Sequence, residues 1–169
     1  IKQLEKIIKR VLEDKARFER ELRIRQQQET LKTKSFKALK GQLPWPADGR
    51  IISKFGRQWN PKLKTTTENP GIDIKGKPGS SIRTVLGGVI TTITYIRGYG
   101  TTIIVDHGGG FYTVYSHVTN IQTNVDNQVR NGDVIAYMGD SGSINGSKLH
   151  FEIWGKGQKL DPEKWLRKK

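Results

Sequence analysis

All nineteen glycines and all six prolines of this 169-residue chain fall after residue 40. Forty consecutive residues without either breaker leave a helix free to propagate, whereas the remainder is interrupted too often for any long helix to survive. The chain therefore divides near residue 40 into parts of different period. Residues 1–40 form a helical arm and connector, and residues 41–169 form a folded domain.

Within the arm, Ile1, Leu4, Ile8, Val11, Phe18 and Leu22 recur in alternating three- and four-residue steps, with Lys15 and Arg25 interrupting the seam. That is the spacing of a coiled-coil helix, and a lone helix carrying it exposes its seam unless a second helix or the domain covers it. Residues 26–40 are polar and basic, with only Leu31, Phe36, Ala38 and Leu39 apolar, and read as the connector. Pro44-Trp45-Pro46 then forbids continuation of the helix.

From Arg50 onward the pattern changes to short β-rich runs at 51–55, 89–96, 101–105, 111–115, 134–138 and 149–154. Gly98-Tyr99-Gly100, Gly108-Gly109-Gly110 and Asn131-Gly132 supply turns between them. Seven or more short strands punctuated in this way predict an antiparallel, mainly β domain.

Seven ordered segments of this domain also occur, in the same order, in a known family. They are Phe55-Gly56-Arg57, Gly71 to Ile74, Gly98 to Gly100, Asp106-His107-Gly108, Tyr115 to His117, Gly132 to Ile135 and Leu149 to Glu152. From about Leu43 to Leu166 the chain resembles the LytM or lysostaphin-type zinc peptidases, which cut peptide bonds in bacterial peptidoglycan. The resemblance implies an antiparallel LytM-type sheet with a groove on one face. It also implies a zinc site whose ligands fall on Asn69, Asp73 and His150, with catalytic histidines falling on His117 and Lys148.

Two of those five positions depart from the family's chemistry. An amide at Asn69 suits hard cations better than zinc, and an ammonium at Lys148 opposes a divalent ion or pairs with Asp73 in its place. The resemblance is accordingly to a degenerate LytM domain of the EnvC type, a class that activates amidases splitting septal peptidoglycan. The opening of the domain, Leu39 to Pro46, and the helix placed directly before it carry that likeness. It implies no catalytic residue, no metal and no cofactor, and a partner-binding groove comprising Arg57, Asn69, Asp73, His117, Lys148 and His150.

Each groove residue also has a plainer reading. Asp73 can hydrogen-bond backbone or His150, His117 can be a satisfied sheet histidine, and His107 sits structurally at a glycine turn. Lys148 is expected to be exposed and available to an acidic partner, since lysine is seldom buried unpaired. Glu152 shares a strand face with His150 and can orient its imidazole. Trp45, Trp59, Trp154 and Trp165 read as core or edge packing before carbohydrate platforms.

Composition narrows the partners only slightly. The chain has thirty Lys and Arg against sixteen Asp and Glu, a formal net charge of +14. Thirteen of the thirty lie in residues 1–40, so the charge is spread along the chain, and no nucleic-acid-binding motif accompanies it. Anionic polymers, lipids or acidic protein surfaces are equally good targets, and nucleic acid is not expected. There is no cysteine, which excludes disulfides and thiolate metal sites.

No apolar run is long enough to cross a bilayer, and no signal peptide is visible, so a fragment of a longer precursor is expected. A location in the bacterial cell envelope, the periplasm, follows from the family alone. The expected function is non-catalytic activation of a peptidoglycan amidase in cell division. The arm would contact a membrane division complex, and part of it would cover the groove until displaced. The alternatives are a zinc endopeptidase with a replacement ligand and a peptidoglycan-binding module.

Overall fold

A computed structural model of the chain describes residues 2–144 and 146–169, without the side chains of residues 28–34. Ile1 of the seam and the Leu31 side chain thus lie outside the described residues. One long helix, α1 (Lys2–Ala38), precedes thirteen strands. These are β1 (Arg50–Ser53), β2 (Gly56–Asn60), β3 (Thr65–Asn69), β4 (Ile72–Lys75), β5 (Ser81–Arg83), β6 (Gly88–Ile96) and β7 (Gly100–Gly108). They continue with β8 (Phe111–Ser116), β9 (Val118–Thr119), β10 (Gln128–Val129), β11 (Val134–Met138), β12 (Leu149–Gly155) and β13 (Gln158–Leu160), before the short closing helix α2 (Pro162–Trp165).

The main sheet runs β1-β4-β12-β8-β7-β6-β10, with β13 paired to β12. All of its pairings are antiparallel, as the sequence predicts. A smaller sheet, β5-β11-β9, and a separate hairpin, β2-β3, complete the architecture. Glycine turns join β6 to β7 and β7 to β8 where the sequence places them. The Asn131-Gly132 turn forms too, closed by a 3.0 Å bond from the Asp133 amide to the Arg130 carbonyl. It does not make a hairpin, however, because β10 pairs with β6 whereas β11 pairs with β5 and β9.

Strict alternation sorts the two faces of the main sheet. Ile72 and Ile74 of β4, Ile103 and Val105 of β7, Tyr115 of β8 and Phe151 and Ile153 of β12 are fully buried in the core. Asp73, His150, Glu152 and Trp154 point to the other face. That face carries the polar residues for which the rest of the sheet is the scaffold.

The helix continues through the stretch read from sequence as a connector. Its last turn is held by Phe36, which is fully buried and stacks on Phe111 with ring centroids 4.3 Å apart, beside Trp165 and His107. The helix ends at Ala38, and Gly41, at φ +81° in the turn that follows, donates its amide to the Trp165 carbonyl. Asp161 caps α2 by accepting from the Glu163 amide, and Leu43 bridges to Leu166. Upstream, the seam has no cover among the described residues: Leu4 is 61% and Phe18 65% exposed.

Candidate functional site

The groove lies on the polar face at the end of β12 remote from Phe36. Ser53, Thr67, Glu68, Asn69, Pro70, Asp73, Gly98, Tyr99, His117, Lys148 and His150 line a cavity of about 360 Å³. Antiparallel register assembles its floor, setting His150 opposite Asp73 on one side and Ser116 on the other, with Ser53 opposite Asp73 in turn. Gly71 allows that close approach, because a Cβ there would collide with the Phe151 carbonyl and come within 2.7 Å of the Glu152 side chain. Among the described residues no member of α1 lines the groove that the sequence reading expected part of the arm to cover.

At the centre is a chain of charges. Lys148 Nζ donates to Asp73 Oδ2 at 3.0 Å, and His150 Nδ1 donates to Asp73 Oδ1 at 2.6 Å. The other imidazole nitrogen, Nε2, donates to Glu152 Oε2 at 2.7 Å, and the Trp154 indole donates to Glu152 Oε1 at 2.7 Å. Burial alone would lower the pKa of His150, but two hydrogen-bonded carboxylates outweigh it and raise it to about 9. His150 is therefore an imidazolium at neutral pH. For Asp73, burial works upward, and the bonds and charges of His150 and Lys148 override it to hold the carboxyl below its ordinary range.

Lys148 corrects one expectation. Its side chain is only 11% exposed and its ammonium is committed to Asp73. The cost of burying lysine is met by an internal carboxylate, not deferred to a partner.

His117 corrects another, since it is not a sheet histidine. It stands at the break between β8 and β9 with φ +64°, a conformation few non-glycine residues adopt. Its amide donates to the Tyr99 carbonyl and its carbonyl accepts from Gly139. Nδ1–H donates to the Ser141 carbonyl at 2.7 Å, which makes Nε2 the lone-pair nitrogen. Burial, opposed by the Ser141 bond and reinforced by the charges of Lys148 and His150, lowers its pKa, so the ring is neutral.

Asn69 is also engaged: its amide donates to Ser53 Oγ at 2.9 Å, and its oxygen accepts from the Gly71 amide at 3.1 Å. Arg57 lies outside the lining, on the exposed side of the β2-β3 hairpin opposite Glu68. His107 is structural, as expected, with Nδ1 on the Gly87 carbonyl and Nε2 on Thr113 Oγ1. Trp165 is core, Trp45 and Trp154 are half-buried, and Trp59 is exposed on the hairpin.

Sequence reasoning missed Ser53, Thr67, Glu68, Pro70 and Gly98 of the lining, and above all its one aromatic, Tyr99. It was legible only as the middle of a glycine turn, yet its ring packs edge-on against His150 at 5.4 Å. Burial, and then the charge of Glu152, raises its pKa, so the hydroxyl stays protonated.

Zinc does not fit this donor set as it is arranged. It needs three free ligands, but both His150 nitrogens and both Asp73 oxygens are bonded, Asn69 offers an amide, and Lys148 brings a positive charge to the same carboxylate. Among the described residues, no three His, Asp or Glu side chains converge on a place where a cation could sit. The groove does offer the lone pair of His117, the Tyr99 side chain and a wall formed by Thr67, Glu68 and Asn69 of β3, which suit binding.

The sequence profile of Peptidase family M23 matches residues 67–162. The murein hydrolase activator EnvC of Escherichia coli (strain K12) is 31% identical over 129 residues, covering 76% of this chain and 30% of its own. The murein hydrolase activator NlpD of Salmonella typhimurium is 35% identical over 123 residues, covering 72% and 30%. Among solved structures, a zinc-containing peptidase from Vibrio cholerae superposes with a TM-score of 0.68 at 22% identity, over 76% of this chain and 41% of that one. This likeness establishes the fold alone. The chain thus spans about 30% of the length of these curated relatives.

Proposed function

The chain belongs to peptidase family M23, and from that premise we propose that it is a non-catalytic, degenerate member that activates a peptidoglycan amidase during septum splitting in the bacterial cell envelope. The observation carrying this reading is the saturation of Asp73 by Lys148 and His150. Where an active member needs a carboxylate and an imidazole free for metal, this chain has joined them to each other and to an ammonium. Two named activators among its relatives support the same reading.

Mechanistically, the groove would hold a segment of the amidase in its open form. Preferential affinity for that form is what shifts the amidase toward activity. Asn69 and His117 provide contacts on the groove, Arg57 a cation on the exposed side of the hairpin next to it, and Asp73, Lys148 and His150 a rigid floor. The exposed seam of α1 is proposed to pair with a further helix as a coiled coil and to link the domain to a membrane division complex in the periplasm. Among the described residues no helix is long and apolar enough to cross a membrane.

The test is release of dye-labelled fragments from purified sacculi by a septal amidase of the same bacterium. Activator function predicts release that rises severalfold when this chain is added, and none from the chain alone with zinc present. The second reading, a zinc endopeptidase, draws on the survival of Asp73, His117 and His150 at the family's positions. Zinc-dependent cleavage of cross-linked peptides by the chain alone would establish it and overturn the activator reading.

A further inference from the structure

The lining of the groove ends at His150, but the sheet face continues beyond it. Glu152 and Trp154 follow on the same face of β12, and the register extends that face across the sheet in rows. Val114 lies opposite Glu152, and Ile104 opposite Val114. One row further, Lys159 and Tyr112 flank Trp154, and Asp106 lies opposite Tyr112. This row is about 13 Å along the strand from His150, at about 3.3 Å per residue.

We infer that this row is a saccharide subsite, in which a pyranose ring stacks on the Trp154 indole with Tyr112 beside it. Three features carry the inference. First, the indole N–H is bonded to Glu152, two residues earlier on the same strand, which ties the ring along the sheet instead of leaving it to swing into solvent. Second, the row has hydroxyl-binding neighbours: the Lys159 ammonium, which lies over the Trp154 ring 5.9 Å from its centroid and moves to the rim when a sugar takes its place, and Asp106 two strands away. An apolar platform with a charged border is the complement of a sugar, which has a C–H face and a hydroxyl rim.

Third, the platform is small. Its apolar side chains are Trp154, Tyr112, Val114 and Ile104, of which Tyr112 is the most exposed at 38%. A protein partner needs roughly 800 Å² on each side, far more than this strip supplies, whereas one or two sugar rings match it. Because Glu152 bonds both Trp154 and His150, the platform and the groove floor form one fixed frame. A ligand lying along β12 can place its carbohydrate on one and an attached or neighbouring peptide on the other. The assignment to peptidoglycan glycan rests on the proposed function; the stacking site itself does not.

Binding is measured by co-sedimentation with peptide-free glycan strands and by titration with a β-1,4-linked tetramer of N-acetylglucosamine. The intact chain should bind both, and Trp154→Ala should weaken binding about five- to tenfold. That variant also removes a donor from Glu152, so Tyr112→Ser, outside the Glu152 hydrogen bonds, serves as the second variant and should weaken binding while the chain still unfolds cooperatively, with only the modest loss of stability that a cross-strand aromatic contributes. A free stem tetrapeptide should not compete.

No binding of either glycan by the intact chain, or unaltered glycan binding by both variants, overturns the inference. So does loss of amidase activation with glycan binding intact in the variants, which would mark the face as a protein contact. Failure of the intact chain to activate an amidase, with glycan binding present, would defeat the proposed function and leave this subsite standing.

Discussion

The groove and the helical arm solve opposite problems. In the groove, four ionisable side chains with little exposure are mutually satisfied: Asp73 by Lys148 and His150, and His150 in turn by Glu152. Along the arm, Leu4, Ile8, Val11, Phe18 and Leu22 stay in water. A polar cluster can be completed by neighbours in one chain because hydrogen bonds are short and directional. An apolar stripe on a lone helix can be completed only by another surface. The contrast teaches that the domain is energetically finished at its site and unfinished at its arm.

Removing the common acceptor attacks the finished end most directly. Asp73→Ala leaves the Lys148 ammonium without its carboxylate and His150 without one of its two, and the expected loss is about 3–5 kcal/mol in urea unfolding. A loss below about 1 kcal/mol would show that water or backbone can replace the carboxylate, and the groove would no longer count as self-completed.

A pH series tests the same end with a somewhat smaller effect. His150 binds its proton more tightly folded than unfolded, so its stabilisation is fully present below about pH 6.5 and is lost as pH rises through about 9. The shift corresponds to about 3 kcal/mol, measured as falling urea midpoints between those pH values, and His150→Gln should flatten this part of the curve. Asp73 acts in the opposite sense, its contribution disappearing as pH falls below the ordinary carboxylate range.

The smallest effect is expected at the unfinished end. Val11→Ala, 59% exposed in the native chain, should change the stability of the isolated chain by no more than about 0.5 kcal/mol. A larger, concentration-dependent loss would mean that the seam is already paired between copies in solution.

Much of this was legible in advance, for identifiable reasons. The breaker-free stretch announced α1, and runs such as 89–96 and 149–154 announced β6 and β12, because period-two alternation and turn residues are local signals. Asp73 and His150 were legible as neighbours only through the family resemblance, since 77 residues separate them. Phe36 was hidden inside a polar, basic stretch, where one aromatic carries no local sign of being a core residue. The β2-β3 hairpin was hidden as well, because Thr65 to Asn69 is polar throughout and reads as loop until its partner strand is known.

By itself, the sequence determined the division at residue 40, the helix before it, the antiparallel strands after it, and the amide and ammonium standing at two family positions. Those follow from side-chain identity and from interactions within a few residues. Only the tertiary structure decided that Lys148 turns inward, that His150 is held as a cation between two carboxylates, that Phe36 anchors the arm away from the groove, and that Trp154 is tied into the same frame. The reason is that charge pairing and burial depend on groups brought together by strand register and core packing, at separations where local sequence carries no information.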